Sequence, residues 1–363
     1  MRNAVTTTAL HELVHKKWVL LLSFDNPYPV MSTDKRLAVV GAGAIGCEVA
    51  ARLARSGAGV HLIARGSQLA AIRARGITVD EGGERWNAGV EVHASGATIG
   101  PVDVVVLGLK AHQVGAALPD IEPLLGPGTA VVTLQNGIPW WYGYGHPFVP
   151  GIVLDSVDPG GRIARALGYE RAIGAQVYFS ANVPEPGVVA HGSGARIVIG
   201  DPAPGESPRA RAFADALTRA GFETVLSGRI RSEIWSKLLG NATFNPLTAL
   251  TRQFIREAYE DPGTLALVRA GMREVLAVAD ALGDAPEITI DERLAISPIH
   301  GDIRTSTLQD VEAGRPLETR ALLGAIVELA ALRDVRTPTL AMLDALVSAL
   351  DRSVARSRAT ART

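Results

Sequence analysis

Lys237, Asn241 and Asn245 recur four residues apart within an otherwise apolar stretch running from Ile234 to Ala249. At about 100° per residue, a helix would fan these three side chains over roughly 80° of one face. An ammonium can polarise a carbonyl and deliver a proton, and asparagine amides can hold hydroxyl and carbonyl groups without adding charge. A polar stripe among Leu, Gly, Ala and Phe is costly unless a ligand, water or partner side chain meets it, and asparagine is a poor helix former. The plainer alternative is a surface lysine flanked by two asparagines. Pro246 should kink or end the helix at that point.

A second chemical signal is Gly41-Ala42-Gly43-Ala44-Ile45-Gly46, a G-x-G-x-x-G run directly after the apolar segment Leu37–Val40 and opening an Ala-rich helix. In that setting Gly41 permits a tight turn, Gly43 lets backbone N–H groups approach a pyrophosphate, and Gly46 allows close packing of helix on strand. The run therefore predicts a dinucleotide cofactor. The next strand, Val60–Ile63, ends in Ala64 and Arg65 with no Asp or Glu at the position that would bond a ribose 2′-hydroxyl. A guanidinium there suits a 2′-phosphate and favours NADP over NAD. Lys110-Ala111-His112-Gln113 and Gln135-Asn136-Gly137 follow later strands, where polar side chains face a cofactor crevice or stabilise their own loops. Ser306 reads either as a helix N-cap or as a site residue, and Glu318 either as a first-turn carboxylate or as a site residue.

These groups need elements to position them. From Leu37 to about Val132 short apolar strands (Leu37–Val40, Val60–Ile63, Val104–Leu107, Thr129–Leu134) alternate with amphipathic helices (Ala44–Arg55, Ser67–Arg75). That alternation predicts an α/β, doubly wound Rossmann sheet. Further strands are expected at Val153–Val157, Ile173–Phe179, Val188–His191 and Arg196–Ile199. The Pro-rich stretch 201–208 reads as a linker, after which the pattern is helical: about 207–220, 229–258, 262–282, 287–299, 306–313, 318–333 and 338–350. The expected division is an extension at 1–30, an NADP-binding domain at 31–205, an all-helical catalytic domain at 206–350 and a flexible tail at 351–363. The extension, with an apolar run too short to span a bilayer and no cleavage site, reads as unstructured, with Met31 as a candidate start.

The chain has 363 residues, enough for two domains. Its 36 Lys+Arg against 37 Asp+Glu argue against a nucleic-acid or anionic-membrane partner. A single cysteine, Cys47, excludes an intrachain disulfide and agrees with a reducing, cytoplasmic setting. With so few Cys and no clustered His pairs, no metal site is expected.

Taken in order, the loop Gly41–Gly46, Lys110-x-x-Gln113, Gln135-Asn136-Gly137, Trp235-x-Lys237-x3-Asn241-x3-Asn245-Pro246 and Ser306-x-Leu308-Gln309-Asp310…Gly314-Arg315…Glu318 resemble the ketopantoate reductase family over about residues 35–350. The resemblance implies NADPH-dependent reduction of 2-dehydropantoate to pantoate in a cleft between the two domains, by a monomer or homodimer. It implies Lys237 as general acid, and Asn136, Asn241, Asn245 and Ser306 as substrate-binding residues. Lys110, Gln113, Asn136, Ala181 and Glu318 are implied on the cofactor side. Two features depart from the family pattern. Thr-Glu-Ile-Asp is replaced by Leu317-Glu318-Thr319-Arg320, and the run Trp140-Trp141-Tyr142-Gly143-Tyr144 offers lining for a bulkier or more apolar pocket. The alternatives are the same chemistry on another 2-oxo acid, or a catalytically silent NADPH-binding regulator.

Overall fold

The computed structural model describes residues 36–203, 205, 207–296 and 302–360. The expectations for the extension at 1–30 and for Met31 lie outside the described residues.

The chain begins as β1 (Arg36–Val40), α1 (Ala44–Arg55), β2 (Gly59–Ile63), α2 (Gly66–Arg75), β3 (Ile77–Glu81), β4 (Glu84–Ala88) and β5 (Glu91–His93). It continues as β6 (Val102–Leu107), α3 (Ala111–Ile121), β7 (Leu125–Thr133), α4 (Arg162–Leu167), β8 (Ala172–Tyr178), β9 (Ala181–Glu185), β10 (Val188–His191), β11 (Arg196–Gly200), α5 (Pro208–Arg219) and β12 (Glu223–Leu226). Helices follow: α6 (Ile230–Asn241), α7 (Phe244–Thr251), α8 (Ile255–Glu260), α9 (Pro262–Ala281), α10 (Ile290–Ile296) and α11 (Ser306–Glu312). A π-helical turn, Arg320–Gly324, then leads into α12 (Ala325–Leu332) and α13 (Pro338–Thr360).

The main sheet has eight strands in the order β12-β11-β8-β7-β6-β1-β2-β5. All neighbours run parallel except β8 and β11. β1 is apolar throughout because both its faces are covered: Leu37 and Val39 enter one core, Ala38 and Val40 the other. That second core continues into the helical part through residues such as Trp235, Leu239 and Phe244. Strands β4-β3-β10-β9 form a small separate sheet.

The structure changes several expectations. Residues 153–157 form turns rather than a strand, since the Asp155 and Ser156 N–H groups donate to the Glu328 carboxylate at 2.9 and 3.0 Å instead of to a neighbouring strand. The sheet does not stop at 205: α5 and β12 follow the Pro-rich loop, and β12 pairs with β11. The all-helical part therefore starts at Ile230. The helix expected over 229–258 is three helices, broken at Ala242–Thr243 and again at Arg252, which takes a left-handed conformation (φ 65°). Pro246 sits in the first turn of α7, where a missing N–H costs nothing. The tail is helical to Thr360, because Leu350 and Val354 pack on the core and Asp351 accepts the Leu317 N–H at 2.9 Å. No helix among the described residues is long and apolar enough to cross a membrane.

Candidate active site

The glycine turn lies between the C-terminal end of β1 and α1. Gly41 has φ +108°, and a Cβ there would meet Leu109 Cδ2 at 2.8 Å, so only glycine fits. At Gly46 a Cβ would lie 2.0 Å from the Gly41 carbonyl oxygen, which is how α1 packs so close to the strand. Gly43 differs. A Cβ there would find only the Gly108 oxygen, at 3.8 Å, so its outer face is open. Gly43 is also the N-cap of α1, and no side chain caps the helix. With Ala42, Ala44 and Ile45 partly exposed beside it, the turn offers backbone N–H groups and a helix dipole to an anionic ligand, as a dinucleotide pyrophosphate requires.

The strands beside β1 bring further groups to the same edge of the sheet. Lys110 follows β6 and is the N-cap residue of α3. Its ammonium pairs with Asp310, and Asp310 also accepts Arg315 Nε at 2.9 Å. Lys110 thus ties the sheet to the helical part. Gln113 accepts the Lys110 N–H at 3.0 Å and so serves as a capping side chain. Asn136 is half-buried in the turn after β7. Gly137 next to it (φ +89°) packs so tightly on the π-helical turn that a Cβ would lie 2.4 Å from the Ala321 oxygen. The same oxygen accepts the Ile138 N–H at 2.9 Å.

Lys237 lies on α6, which packs on β8. Its Nζ donates to the Val177 carbonyl at 2.6 Å and stands 5.5 Å from the Tyr178 ring. Loss of hydration lowers its pKa from 10.5 to about 8, partly offset by the negative charge of Glu318. Glu318 accepts the Ala111 N–H at 2.8 Å, at the N-terminus of α3. Burial raises its pKa from 4.5 to about 7, against the pull of that N–H and of the Lys110 charge. Glu318 therefore belongs to the entry of α3, not to the first turn of its own helix.

Asn241 ends α6 one turn after Lys237 and is half-buried. Asn245 lies beyond the helix break, on a different helix from Lys237 and Asn241. It is buried, and its Nδ2 faces Ser306 Oγ at 3.5 Å. Ser306 is not the cap of α11. Thr305 is: its Oγ1 accepts the Leu308 N–H at 3.2 Å and lies 2.8 Å from Thr248 Oγ1. The Ser306 hydroxyl is exposed and has no capping role.

Arg65 sits at the C-terminal side of β2 with an exposed side chain, and its Nη2 donates to Asp120 at 2.5 Å. Ala181 opens β9, opposite His191. The aromatic run does not line an open pocket. Trp140, Trp141 and Tyr142 are all buried; Trp141 Nε1 donates to Thr133 at 2.9 Å, and Tyr142 OH bonds Asp284 at 2.5 Å and accepts Trp235 Nε1 at 2.9 Å. Sequence reading missed these partners, and also the Val177 carbonyl that holds the lysine, because a backbone acceptor leaves no mark in residue type.

Comparison with known proteins agrees with this geometry. Residues 37–204 match the family model described as ketopantoate reductase PanE/ApbA, and residues 229–351 match its C-terminal counterpart. A 2-dehydropantoate 2-reductase from Mesorhizobium japonicum is 43% identical over 318 residues, covering 87% of this chain and 97% of its own. The crystal structure of 2-dehydropantoate 2-reductase from Geobacter metallireducens superposes with a TM-score of 0.77 at 31% identity, covering 86% of this chain and 99% of that one. A D-mandelate dehydrogenase in ternary complex with NADH and anilino(oxo)acetate shares the fold, with a TM-score of 0.76 at 24% identity over 88% of this chain and 99% of that one. With the glycine turn, the lysine helix and both halves of the fold accounted for, the chain belongs to the ketopantoate reductase family.

Proposed function

We propose that this chain reduces 2-dehydropantoate to pantoate with NADPH, and that Lys237 is the general acid. The desolvated ammonium of Lys237, held by the Val177 carbonyl beside Glu318 at the strand ends, is the observation that carries this reading. Gly41–Gly46 would hold the pyrophosphate and Arg65 the 2′-phosphate, its guanidinium turning from Asp120. When bound, the reduced nicotinamide supplies a hydride to the ketone carbon. Lys237 then neutralises the developing alkoxide by donating the proton on Nζ. With a pKa of about 8 the amine is largely protonated at neutral pH, yet gives up its proton more readily than a solvated lysine. Asn136, Asn241, Asn245 and Ser306 offer amide and hydroxyl groups that orient substrate without adding charge. Lys110 and Gln113 act indirectly on the cofactor side, by fixing the entry of α3.

The buried aromatic run removes one reason to expect an enlarged pocket, which favours 2-dehydropantoate over bulkier 2-oxo acids. A silent regulator would have no use for a proton donor there. Steady-state NADPH oxidation with 2-dehydropantoate, with NADH as control, tests the reading. Turnover with NADPH well above that with NADH is expected. No turnover on 2-dehydropantoate, with turnover on a bulkier 2-oxo acid, would overturn the substrate.

A further inference from the structure

The outer edge of the eight-stranded sheet gathers three metal-ligating side chains that the reductase chemistry does not use. β5 is the terminal strand and pairs with β2 in parallel, His61 opposite Glu91 and Ile63 opposite His93. His61, Glu91 and His93 therefore share one face. His61 Nδ1 lies 3.2 Å from His93 Nε2 and 3.1 Å from Glu91 Oε2, and His93 Nε2 is 3.9 Å from that oxygen. A point equidistant from three atoms so spaced lies roughly 2 Å from each, the length of a Zn–N or Zn–O bond. The two histidines are 32 positions apart, which hid the cluster from a search for adjacent His pairs.

The surroundings also supply an outer partner. Thr98 Oγ1 lies 3.0 Å from His93 Nδ1 and 3.0 Å from the Ser95 carbonyl, to which it can donate. With the hydroxyl proton on that carbonyl, His93 Nδ1 donates to Thr98 and Nε2 is left as the free lone pair facing His61 and Glu91. A hydrogen-bonded outer partner of this kind is typical of metal-binding histidine. The neighbouring Arg36 guanidinium is occupied by the carbonyls of Ile99 and Pro101, at 2.8 and 3.1 Å. Both histidines are mostly shielded, whereas the Glu91 side chain is 73% exposed and leaves an open side for solvent ligands.

We propose that His61, Glu91 and His93 form a binding site for a divalent transition-metal ion. Two imidazoles and one carboxylate suit Zn2+, Co2+ or Ni2+ rather than Mg2+ or Ca2+, which take oxygen ligands. The ion would cross-link the three-residue strand β5 to β2. Because the His93 carbonyl accepts the Ala64 N–H at 3.0 Å, it would also stiffen the turn that presents Arg65.

The test uses the untagged full-length protein, stripped with chelator and titrated with ZnCl2 in competition with a chromophoric chelator. One equivalent of zinc per chain is expected, with a higher thermal midpoint for the zinc-loaded protein. Co2+ should give the visible absorption of a low-coordinate nitrogen and oxygen site. H93Q should weaken zinc binding by about 100-fold and E91Q by about tenfold. E91Q alters an exposed side chain and keeps the comparison valid if H93Q fails to fold. Zinc binding by E91Q equal to that of the unmodified protein, or no zinc-dependent shift in thermal midpoint, would overturn the site.

Discussion

Lys237 donates its side-chain proton to the backbone carbonyl of Val177, 2.6 Å away, near the C-terminal end of β8. A carbonyl holds an ammonium without cancelling its charge, so the amine is aimed and still able to act as an acid. K237A should therefore bind NADPH as the parent does and lose about 10²- to 10⁴-fold in kcat. Fluorescence titration of NADPH alongside steady-state rates checks both halves, and near-parental turnover would remove Lys237 from its role.

The pH dependence follows from two shifts of opposite sense. In the proposed mechanism reduction needs Lys237 protonated, so kcat for reduction should fall as pH rises through about 8. Stability of the ligand-free protein has its own signature. Glu318 titrates near 7 folded against 4.5 unfolded, so the folded state binds more protons between those values and loses stability as pH rises from 4.5 to 7. Lys237 titrates near 8 folded against 10.5 unfolded, so the unfolded state binds more protons there and stability recovers from 8 to 10.5. The contribution of this pair should be least favourable between about pH 7 and 8. Denaturant midpoints across pH, compared with a K237M/E318Q double variant, would reveal the trough.

The two glycines of the turn separate folding from binding. G46A places a methyl 2.0 Å from the Gly41 oxygen and should cost about 1–3 kcal/mol or more. G43A meets no protein atom closer than 3.8 Å, so its thermal midpoint should stay close to the parent's while cofactor affinity drops at least about tenfold. Equal affinity in G43A would mean that the pyrophosphate lies elsewhere.

The proposed role of Arg65 is to discriminate between the two nicotinamide cofactors. Loss of a charge-assisted contact to a 2′-phosphate should raise the KM for NADPH in R65A by about 10- to 100-fold and leave that for NADH nearly unchanged. A parallel rise in both would assign Arg65 a structural role through Asp120.

Tyr142 tests whether the aromatic run is scaffold. Y142F leaves the buried Trp235 Nε1 without its acceptor and should cost about 1–3 kcal/mol while kcat barely moves. A large change in substrate preference would contradict that reading.

The sequence made much of this fold legible wherever a local rule applied. α1 appears at Ala44–Arg55 because a glycine turn starts it and its apolar face faces the sheet. What was not legible depended on distant partners. Residues 153–157 have strand-like composition, but Glu328, more than 170 positions away, takes the N–H groups of Asp155 and Ser156. β12 looked like part of a helical region because only pairing with β11 makes it a strand. At the site, residue types pointed to Lys237 and Asn245, whereas the real cap at Thr305 was masked by a neighbouring serine that could have done the same work. The helix break between Asn241 and Asn245 ends the single-helix face that the spacing predicted, because Ala242 and Thr243 lie between two separate helices.

The wide turn at Arg320–Gly324 has a consequence for how this protein can change over time. A π-turn holds one residue more than a regular helix would need, and here it begins two residues after Glu318 and presents the Ala321 oxygen to the Asn136 turn. Excising one residue would close the wide turn into ordinary helix and pull the segment that carries Glu318 toward α12. The carboxylate would swing off α3, and the docking surface for Gly137 would vanish with it. Four of the five positions, Ala321 to Gly324, are buried, so large substitutions there should be costly and a single-codon deletion lethal to activity.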